Sequence, residues 1–270
     1  MTVTIGEPTR TSPRSNVDPF IVMDVMEAAR AAEASGRHII HMEVGHPGTG
    51  APQAATRALA AAMADGPLGY TVALGLPELR ARIARLYGDW YNLDLDPARV
   101  VVTSGASGGF LLAFNALFDS GDRVGIGAPG YPSYRQILSA LGFHPVDLPT
   151  STTNRLQPVP DDFAGLDLQG LLVAAPANPS GTMLDRSAMQ ALVDATQGAG
   201  ASFISDEIYH GIEYEAKAVS ALEVSDDVYV INSFSKYFSM TGWRVGWMVV
   251  PEDHVRVVER IAQNMFICPS

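Results

Sequence analysis

The sequence has very little lysine: Lys217 and Lys236 stand against sixteen arginines in 270 residues. Arginine therefore carries nearly all of the positive charge, and its guanidinium stays protonated. A lysine amine, in contrast, can lose its proton, attack a carbonyl carbon and form a Schiff base. Lys236 lies between two serines, directly after an apolar run, and this position indicates amine chemistry. A surface lysine is the simpler alternative for that residue taken alone.

Cysteine and long apolar runs are also scarce. Cys268 is single, which excludes an intrachain disulfide and favours a reducing compartment. No apolar run approaches the roughly 20 residues that span a bilayer. Residues 1–20 lack the apolar stretch of a secretory signal. These absences predict a cytoplasmic protein with no membrane partner.

An excess of positive charge is missing as well. The formal net charge of -11 argues against a broad surface for nucleic acid or acidic lipid. The 47% hydrophobic and 17% charged content fits a soluble globular protein of one or two domains. No metal site is predicted.

Apolar runs alternate with helical patterns from Arg99 onward. Strands that are apolar throughout and alternate with helices are typical of a mainly parallel sheet covered on both faces, a three-layer α/β fold. Ligands in such sheets lie at the carboxyl ends of the strands. The predicted strands are Val100–Thr103, Val124–Gly127, Pro145–Leu148, Leu171–Ala175, Ser202–Ser205, Val228–Asn232 and Val245–Val250.

The first part of the chain is predicted to be more helical. A flexible arm (1–16) precedes a helix that begins at Asp18-Pro19, a cap followed by proline. An apolar stripe on that helix should pack on the core or on a second subunit. A short strand is expected in 38–44, and helices in 53–64 and 76–91.

Several polar clusters follow these strands. Thr103-Ser-Gly-Ala-Ser-Gly-Gly109 opens a helix and could hold a phosphate through backbone N–H groups; a plain serine cap is the alternative. Asp206 could keep a heterocyclic nitrogen protonated, with Tyr209 beside it, although a capping aspartate is commoner. Asn178 could bond a ring oxygen, but turn chemistry alone would explain its Asn-Pro-Ser-Gly context. Arg244 could face the same ligand as Lys236, if that ligand carries a carbonyl and a phosphate.

Two motifs are rejected. Gly125-Ile-Gly-Ala-Pro-Gly130 matches a dinucleotide-binding pattern, with Asp147 at a suitable distance for a ribose contact. However, Gly125 falls inside a predicted strand and Pro129 removes an amide from the loop. Ser233-Phe-Ser-Lys236 matches the S-x-x-K acyl-transfer motif, but its companion motifs are missing.

Taken together, the clusters resemble the class I/II (fold-type I) aminotransferases, which use pyridoxal 5'-phosphate (PLP). The resemblance runs from about Pro19 to the last residue and follows the family's motif order. The motifs are Gly45-x-Pro47, Tyr70-Thr-x-x-x-Gly75, Ser104-Gly-Ala-Ser107, Pro129-Gly-Tyr131-Pro, Asn178-Pro-x-Gly181, Asp206-Glu-x-Tyr209 and Ser233-x-Ser-Lys236 with Arg244.

The resemblance implies a role for each matching residue around the ring of PLP. Lys236 would form the internal aldimine and carry the proton in catalysis. Asp206 would pair with the pyridine nitrogen and make the ring an electron sink. Asn178 and Tyr209 would bond the phenolic oxygen, and Tyr131 would stack on the ring face.

The phosphate of PLP would have its own set of residues by the same resemblance. Gly105, Ala106 and Ser107 would hold it through the start of a helix. Ser233 would add a hydroxyl, and Arg244 a guanidinium suited to bidentate contact.

The resemblance also implies substrates and a partner. Tyr70 would reach the phosphate of a neighbouring subunit, giving a homodimer with shared sites, and Gly45 would approach the substrate carboxylate. The reaction would move an amino group between an L-amino acid and a 2-oxo acid. A carbon–sulfur β-lyase on the same fold and a non-catalytic PLP-binding module are the alternatives.

The resemblance divides the chain into an N-terminal segment (1–45), a PLP-binding large domain (46–250) and the start of an interdomain helix (251–270). In this family an arginine of a C-terminal small domain clamps the substrate carboxylate, and the sequence stops before it. We therefore expect either a fragment of a longer enzyme or a short protein that binds cofactor without efficient turnover.

Overall fold

A computed structural model describes residues 10–270 of the protein. Residues 1–9, and with them most of the predicted arm (1–16), lie outside the described residues. The described residues form one seven-stranded sheet in the order β1-β7-β6-β5-β4-β2-β3. The strands are β1 Val100–Thr103, β2 Arg123–Ala128, β3 His144–Pro149, β4 Gly170–Ala174, β5 Ser202–Asp206, β6 Tyr229–Ser233 and β7 Gly246–Val249.

The sheet is mainly parallel, as predicted. Strands β2 to β6 pair in parallel, whereas β7 runs antiparallel to both of its neighbours, β1 and β6. Asp206 pairs with Ala174 on one side and with Ile231 on the other. The carboxyl ends of β4, β5 and β6 therefore lie side by side, which is where the polar clusters were expected to meet.

Helices cover both faces of the sheet. Helices α3 and α6 pack on one face, and α4, α5 and α7 on the other. Because successive side chains of a strand point to opposite faces, Leu171 and Val173 join the first layer while Leu172 joins the second. The helices of the described part are α1 Ile21–Ala34, α2 Gln53–Asp65, α3 Pro77–Tyr91, α4 Gly105–Leu117, α5 Pro132–Leu141, α6 Arg186–Gly198 and α7 Val255–Met265.

The N-terminal segment departs from the prediction in two ways. Helix α1 begins at Ile21 after Phe20, not at Asp18-Pro19, and Asp18 instead bonds the Gln136 side chain through its backbone N–H. No strand forms in 38–44, so that prediction was wrong. A strand needs a partner for its backbone groups, and none of the seven strands pairs with this segment.

The first glycine of the rejected dinucleotide motif serves packing. Gly125 lies inside β2, and a Cβ there would fall 2.9 Å from the Leu168 side chain. The rejection on sequence grounds is thereby confirmed. In the described residues, no helix has both the length and the apolar character needed to cross a bilayer.

Candidate active site

Lys236 follows β6 and is half-buried at the carboxyl end of the sheet. Its Nζ donates a hydrogen bond of 2.6 Å to the carbonyl oxygen of Gly45 and lies 5.7 Å from the centroid of the Tyr209 ring. Burial lowers the pKa of the amine, and the nearby Arg244 guanidinium lowers it further. The chain therefore holds an amine that loses its proton more readily than an exposed lysine does.

Asp206 ends β5 and is 4% exposed. Tyr134 donates its phenolic hydrogen to Oδ2, and the N–H of Ile208 donates to Oδ1 at 3.0 Å. Burial raises the pKa of the carboxyl to about 6, although both hydrogen bonds act in the opposite direction. A buried carboxylate of this kind is stabilised by a cationic ligand group placed against it.

Asn178 and Tyr209 lie together in loops that follow β4 and β5. The Asn178 side-chain amide donates to the Tyr209 hydroxyl at 3.3 Å. The Asn178 loop is closed by backbone bonds from Ala177 to the Thr182 carbonyl at 2.9 Å and from Gly181 to the Ala177 carbonyl at 2.7 Å. Burial raises the pKa of the Tyr209 phenol, with Asp206 adding to the effect. The phenol is thus held as a hydrogen-bond donor.

The start of α4 and the Arg244 side chain form a second, cationic group. Gly105 has φ +70°, and a Cβ there would collide with the Arg244 guanidinium. A Cβ on Gly246 would fall 3.0 Å from the backbone nitrogen of Ala106. Both positions thus need glycine, because β7, the helix start and the guanidinium approach each other closely. Free N–H groups at a helix start beside a guanidinium favour an anion.

Two serines predicted to hold an anion differ in their surroundings. Ser107 is exposed on the first turn of α4, whereas Ser233 is 1% exposed. The Ser233 hydroxyl oxygen accepts a hydrogen bond of 3.1 Å from the N–H of Ser235. Its hydroxyl hydrogen is free to donate to a ligand. Ser104 makes no capping bond to α4, so the simple-cap interpretation of this glycine-rich turn is wrong.

The remaining predicted residues lie at the rim. Tyr131 precedes α5, half-buried, with its ring centroid 5.3 Å from that of Tyr134. Gly45 is exposed and meets the site through its carbonyl contact with Lys236. Tyr70 is 83% exposed, and its predicted contact with a second subunit stays a prediction.

A cavity of about 530 Å³ opens beside this group. Its walls include Asn178 and Tyr209 from the site, together with Arg155, Met183, Ile212 and Tyr214. A pocket of this size can hold a small organic molecule. Within residues 10–270, no three His, Cys, Asp or Glu side chains come together to hold a metal ion.

Tyr134 and the contacts that hold the 45–49 loop were not predicted from the sequence. Tyr134 lies one helical turn after Tyr131, and this spacing was the available signal. The Thr49 hydroxyl lies 2.7 Å from the Ser239 hydroxyl, and the Thr241 hydroxyl lies 3.3 Å from Nδ1 of His46. These contacts keep the Gly45 carbonyl over the lysine.

Comparison with known proteins shows the family. The chain is 44% identical over 264 residues to the valine–pyruvate aminotransferase of Mycobacterium tuberculosis, covering 96% of this chain and 68% of that protein. The crystal structure of an aminotransferase from Mycobacterium tuberculosis has a TM-score of 0.93 at 44% identity, over 97% of this chain and 69% of that one.

A crystal structure from Silicibacter pomeroyi is 76% identical, with a TM-score of 0.89 over 96% of this chain and 68% of that one. The chain thus spans about two thirds of the length of these relatives. Residues 37–270 match the family described as aminotransferase class I and II. This chain therefore belongs to the class I and II aminotransferases.

Proposed function

We propose that the protein binds PLP through Lys236 and moves an amino group between an L-amino acid and a 2-oxo acid. The observation that carries this proposal is that three ionisable groups lie together at one end of the sheet. These are a half-buried amine at Lys236, a buried carboxylate at Asp206 and a guanidinium at Arg244 beside a helix start.

The residues present fit the parts of PLP. Asp206 would face the pyridine nitrogen, because a carboxylate buried without a cation favours a protonated ring. Arg244 and the backbone of Gly105 would hold the phosphate. Asn178 and Tyr209 would meet the ring oxygen with their own hydrogen-bonding groups.

The other predicted contacts would complete the cofactor site. Ala106, Ser107 and Ser233 would add donors to the phosphate, and Tyr131 would cover one ring face. Ala106 is 8% exposed and Ser233 is 1% exposed, so both residues are buried at this end of the sheet. The site would then contact PLP at the edge of the ring, at one ring face and at the phosphate.

When bound, PLP supplies an electron sink for the carbanion that forms at the substrate Cα. The protein's part is to position that carbon and to move the proton. Burial and the nearby Arg244 lower the pKa of the Lys236 amine, so more of it is free of its proton at a given pH, and the amine can accept a proton and return it. The Gly45 carbonyl accepts a hydrogen bond of 2.6 Å from this amine, and the backbone of Gly45 would approach the substrate carboxylate.

The choice of substrate is proposed from similarity. The cavity beside Asn178 does not decide it, because its wall combines apolar Met183 and Ile212 with charged Arg155, Glu213 and Glu215. An apolar L-amino acid with pyruvate is the first pair to test, in line with the valine–pyruvate aminotransferase of Mycobacterium tuberculosis. We place this reaction in the cytoplasm.

We propose that two copies of the chain share their active sites. Helices α1 and α2 contain no buried residue, and Tyr70 is 83% exposed. A second copy would cover these helices and receive Tyr70 at its phosphate group. Mixing Tyr70→Phe and Lys236→Ala chains should give hybrid dimers in which one site has both native residues. PLP binding that does not recover on mixing would contradict shared sites.

Borohydride reduction of the PLP complex, followed by peptide mapping, tests the proposed function. The chain offers a matched control because it has two lysines. We expect the reduced label on Lys236, no label in Lys236→Ala, and an unchanged label in Lys217→Ala. A label on Lys217 would overturn the assignment of the amine. Conversion of the bound PLP to pyridoxamine phosphate by valine or alanine then tests amino transfer.

A further inference from the structure

A buried histidine lies behind two loops of the site. His210 is 1% exposed and follows Tyr209 in the chain. Its Nε2 lies 2.8 Å from the carbonyl oxygen of Ala175, and its Nδ1 lies 2.6 Å from the hydroxyl of Tyr91. Because a carbonyl can only accept, Nε2 must carry a hydrogen. The imidazole ring thus joins helix α3 to the segment that leads into Asn178.

A buried carboxylate lies next to this ring. Glu207 is fully buried, and its Oε1 accepts from the Ser205 hydroxyl at 3.2 Å, the Ser220 hydroxyl at 3.0 Å and the N–H of Ala221 at 2.8 Å. Its Oε2 has no hydrogen-bond partner within the described residues and lies 3.6 Å from Nδ1 of His210. Burial raises the pKa of the Glu207 carboxyl, and the imidazole ring lies against the oxygen that lacks a hydrogen-bond partner.

The ring and the backbone cross-link the same two loops. The N–H of Ala175 donates to the carbonyl of Asp206 at 3.3 Å, and the carbonyl of Ala175 accepts from His210. Ala175 lies three residues before Asn178, and His210 lies one residue after Tyr209. The two hydrogen bonds of Ala175 therefore set the distance between the Asn178 loop and the Tyr209 loop. The side chains of Asn178 and Tyr209 meet at 3.3 Å.

We propose that His210 is a positioning residue that holds Asn178 and Tyr209 together for one ligand atom, with the Glu207 side chain packed against its ring. This role rests on the proposed function in one respect, because it takes the ring oxygen of PLP as that atom. The positioning itself is a property of the protein and can be measured without cofactor.

Hydrogen exchange on the cofactor-free chain measures the positioning. The amides of Ala177 and Gly181 close the Asn178 loop. In His210→Leu their exchange should accelerate about tenfold, the effect of losing a bond of about 1.4 kcal/mol. His210→Gln should restore most of the protection, because its amide can donate to Ala175.

The chain offers a matched control in a second histidine–tyrosine pair. Nδ1 of His254 lies 3.0 Å from the Tyr229 hydroxyl, and His254→Leu should leave exchange in the Asn178 loop unchanged. Tyr91→Phe removes only the Nδ1 partner and should accelerate exchange by a smaller factor. If His210→Leu fails to fold, Tyr91→Phe decides: exchange equal to that of the unaltered chain would overturn the role.

PLP binding gives a spectroscopic readout. Donors to the ring oxygen stabilise its anion, so their misplacement should raise the pH midpoint of the absorbance of lysine-bound PLP. We expect a rise of about one pH unit in His210→Leu, recovery in His210→Gln and no change in His254→Leu. If the unaltered chain forms no such absorbance, the proposed function fails and loop exchange still decides the role of His210. If PLP binds and neither readout moves, the positioning role is overturned and the proposed function stands.

Discussion

Tyr134 donates its phenolic hydrogen to Oδ2 of Asp206, and both side chains are buried, at 5% and 4% exposure. The tyrosine lies on α5 and the aspartate ends β5, so the bond links a covering helix to the carboxyl edge of the sheet. A hydrogen bond to a carboxylate favours its charged form. Tyr134 therefore keeps Asp206 ionised at a lower pH than burial alone would allow.

Tyr134→Phe should weaken PLP binding most at the acidic end of the pH range. Without the phenol the pKa of Asp206 should rise above its present value of about 6, and the carboxylate would be lost at higher pH. We expect PLP to bind about tenfold more weakly at pH 6, since a hydrogen bond to a charged group contributes about 1.5 kcal/mol. The difference should shrink as pH rises.

Tyr229→Phe is the matched control for that prediction, because Tyr229 is also buried and bonds a side chain away from the site. Its PLP titration should follow that of the unaltered chain at every pH. Equal losses in the two variants, or a loss in Tyr134→Phe that does not depend on pH, would contradict a role through Asp206.

Asp206→Asn should change how the stability of the cofactor-free chain depends on pH. The folded pKa of about 6 lies above the ordinary value of 3.8. Between these values the unfolded chain has lost this proton while the folded chain keeps it. The free energy of unfolding should therefore fall by about 2 kcal/mol as pH rises from 4 to above 6.

Denaturant unfolding of the unaltered chain and of Asp206→Asn across pH 4 to 7 measures this contribution as a difference, together with its coupling to the adjacent Glu207. The asparagine variant should lack the Asp206 part of the slope. Asp65→Asn changes an exposed aspartate at the end of α2. This variant should retain the Asp206 part of the slope. Parallel pH dependences in the unaltered chain and Asp206→Asn would show that this carboxyl ionises normally.

Much of the sheet was predictable from sequence because strands such as β1, β4 and β7 are buried along nearly their whole length and are mostly apolar. β4 was expected at Leu171–Ala175 and lies at Gly170–Ala174. The strand expected in 38–44 was wrong because hydrophobicity does not identify a pairing partner. Ile40 and Met42, from that segment, are 75% and 88% exposed.

The site was predictable to the extent that its residues occur in short motifs after strands. Lys236 and Asp206 were identified this way, and the structure brings both to one edge of the sheet. Tyr134 and His210 were missed because each contacts the site across a long separation in sequence, from α5 to β5 and from the Tyr209 turn to α3. Such contacts follow from packing, which spacing along the chain does not encode.

Gly105→Ala should disturb the anion-binding group without affecting the rest of the site. The new methyl group would collide with the Arg244 guanidinium, and the backbone at φ +70° disfavours a side chain. PLP should bind at least about tenfold more weakly, because phosphate contacts depend on charged donors. Pyridoxal, which lacks the phosphate, should bind Gly105→Ala and the unaltered chain equally.

Gly198→Ala provides the matched glycine control, since a Cβ there meets nothing within 4 Å and the residue ends α6. Both ligands should bind it as they bind the unaltered chain. A Gly105→Ala chain that loses pyridoxal as strongly as PLP would mean that the substitution damages the whole site, and the phosphate assignment would fail.

Arg244→Gln should make the Lys236 amine more basic. Burial and the guanidinium both lower the pKa of this amine, so removing the cation should move the pKa upward. The rate at which pyridoxal and cyanoborohydride modify Lys236 should then reach its midpoint at higher pH. Arg256→Gln, an exposed arginine paired with Glu259, should leave the midpoint unchanged. Because pyridoxal carries no phosphate, lost phosphate binding cannot produce this shift, and a midpoint that stays fixed in Arg244→Gln would show that the guanidinium does not act on the amine.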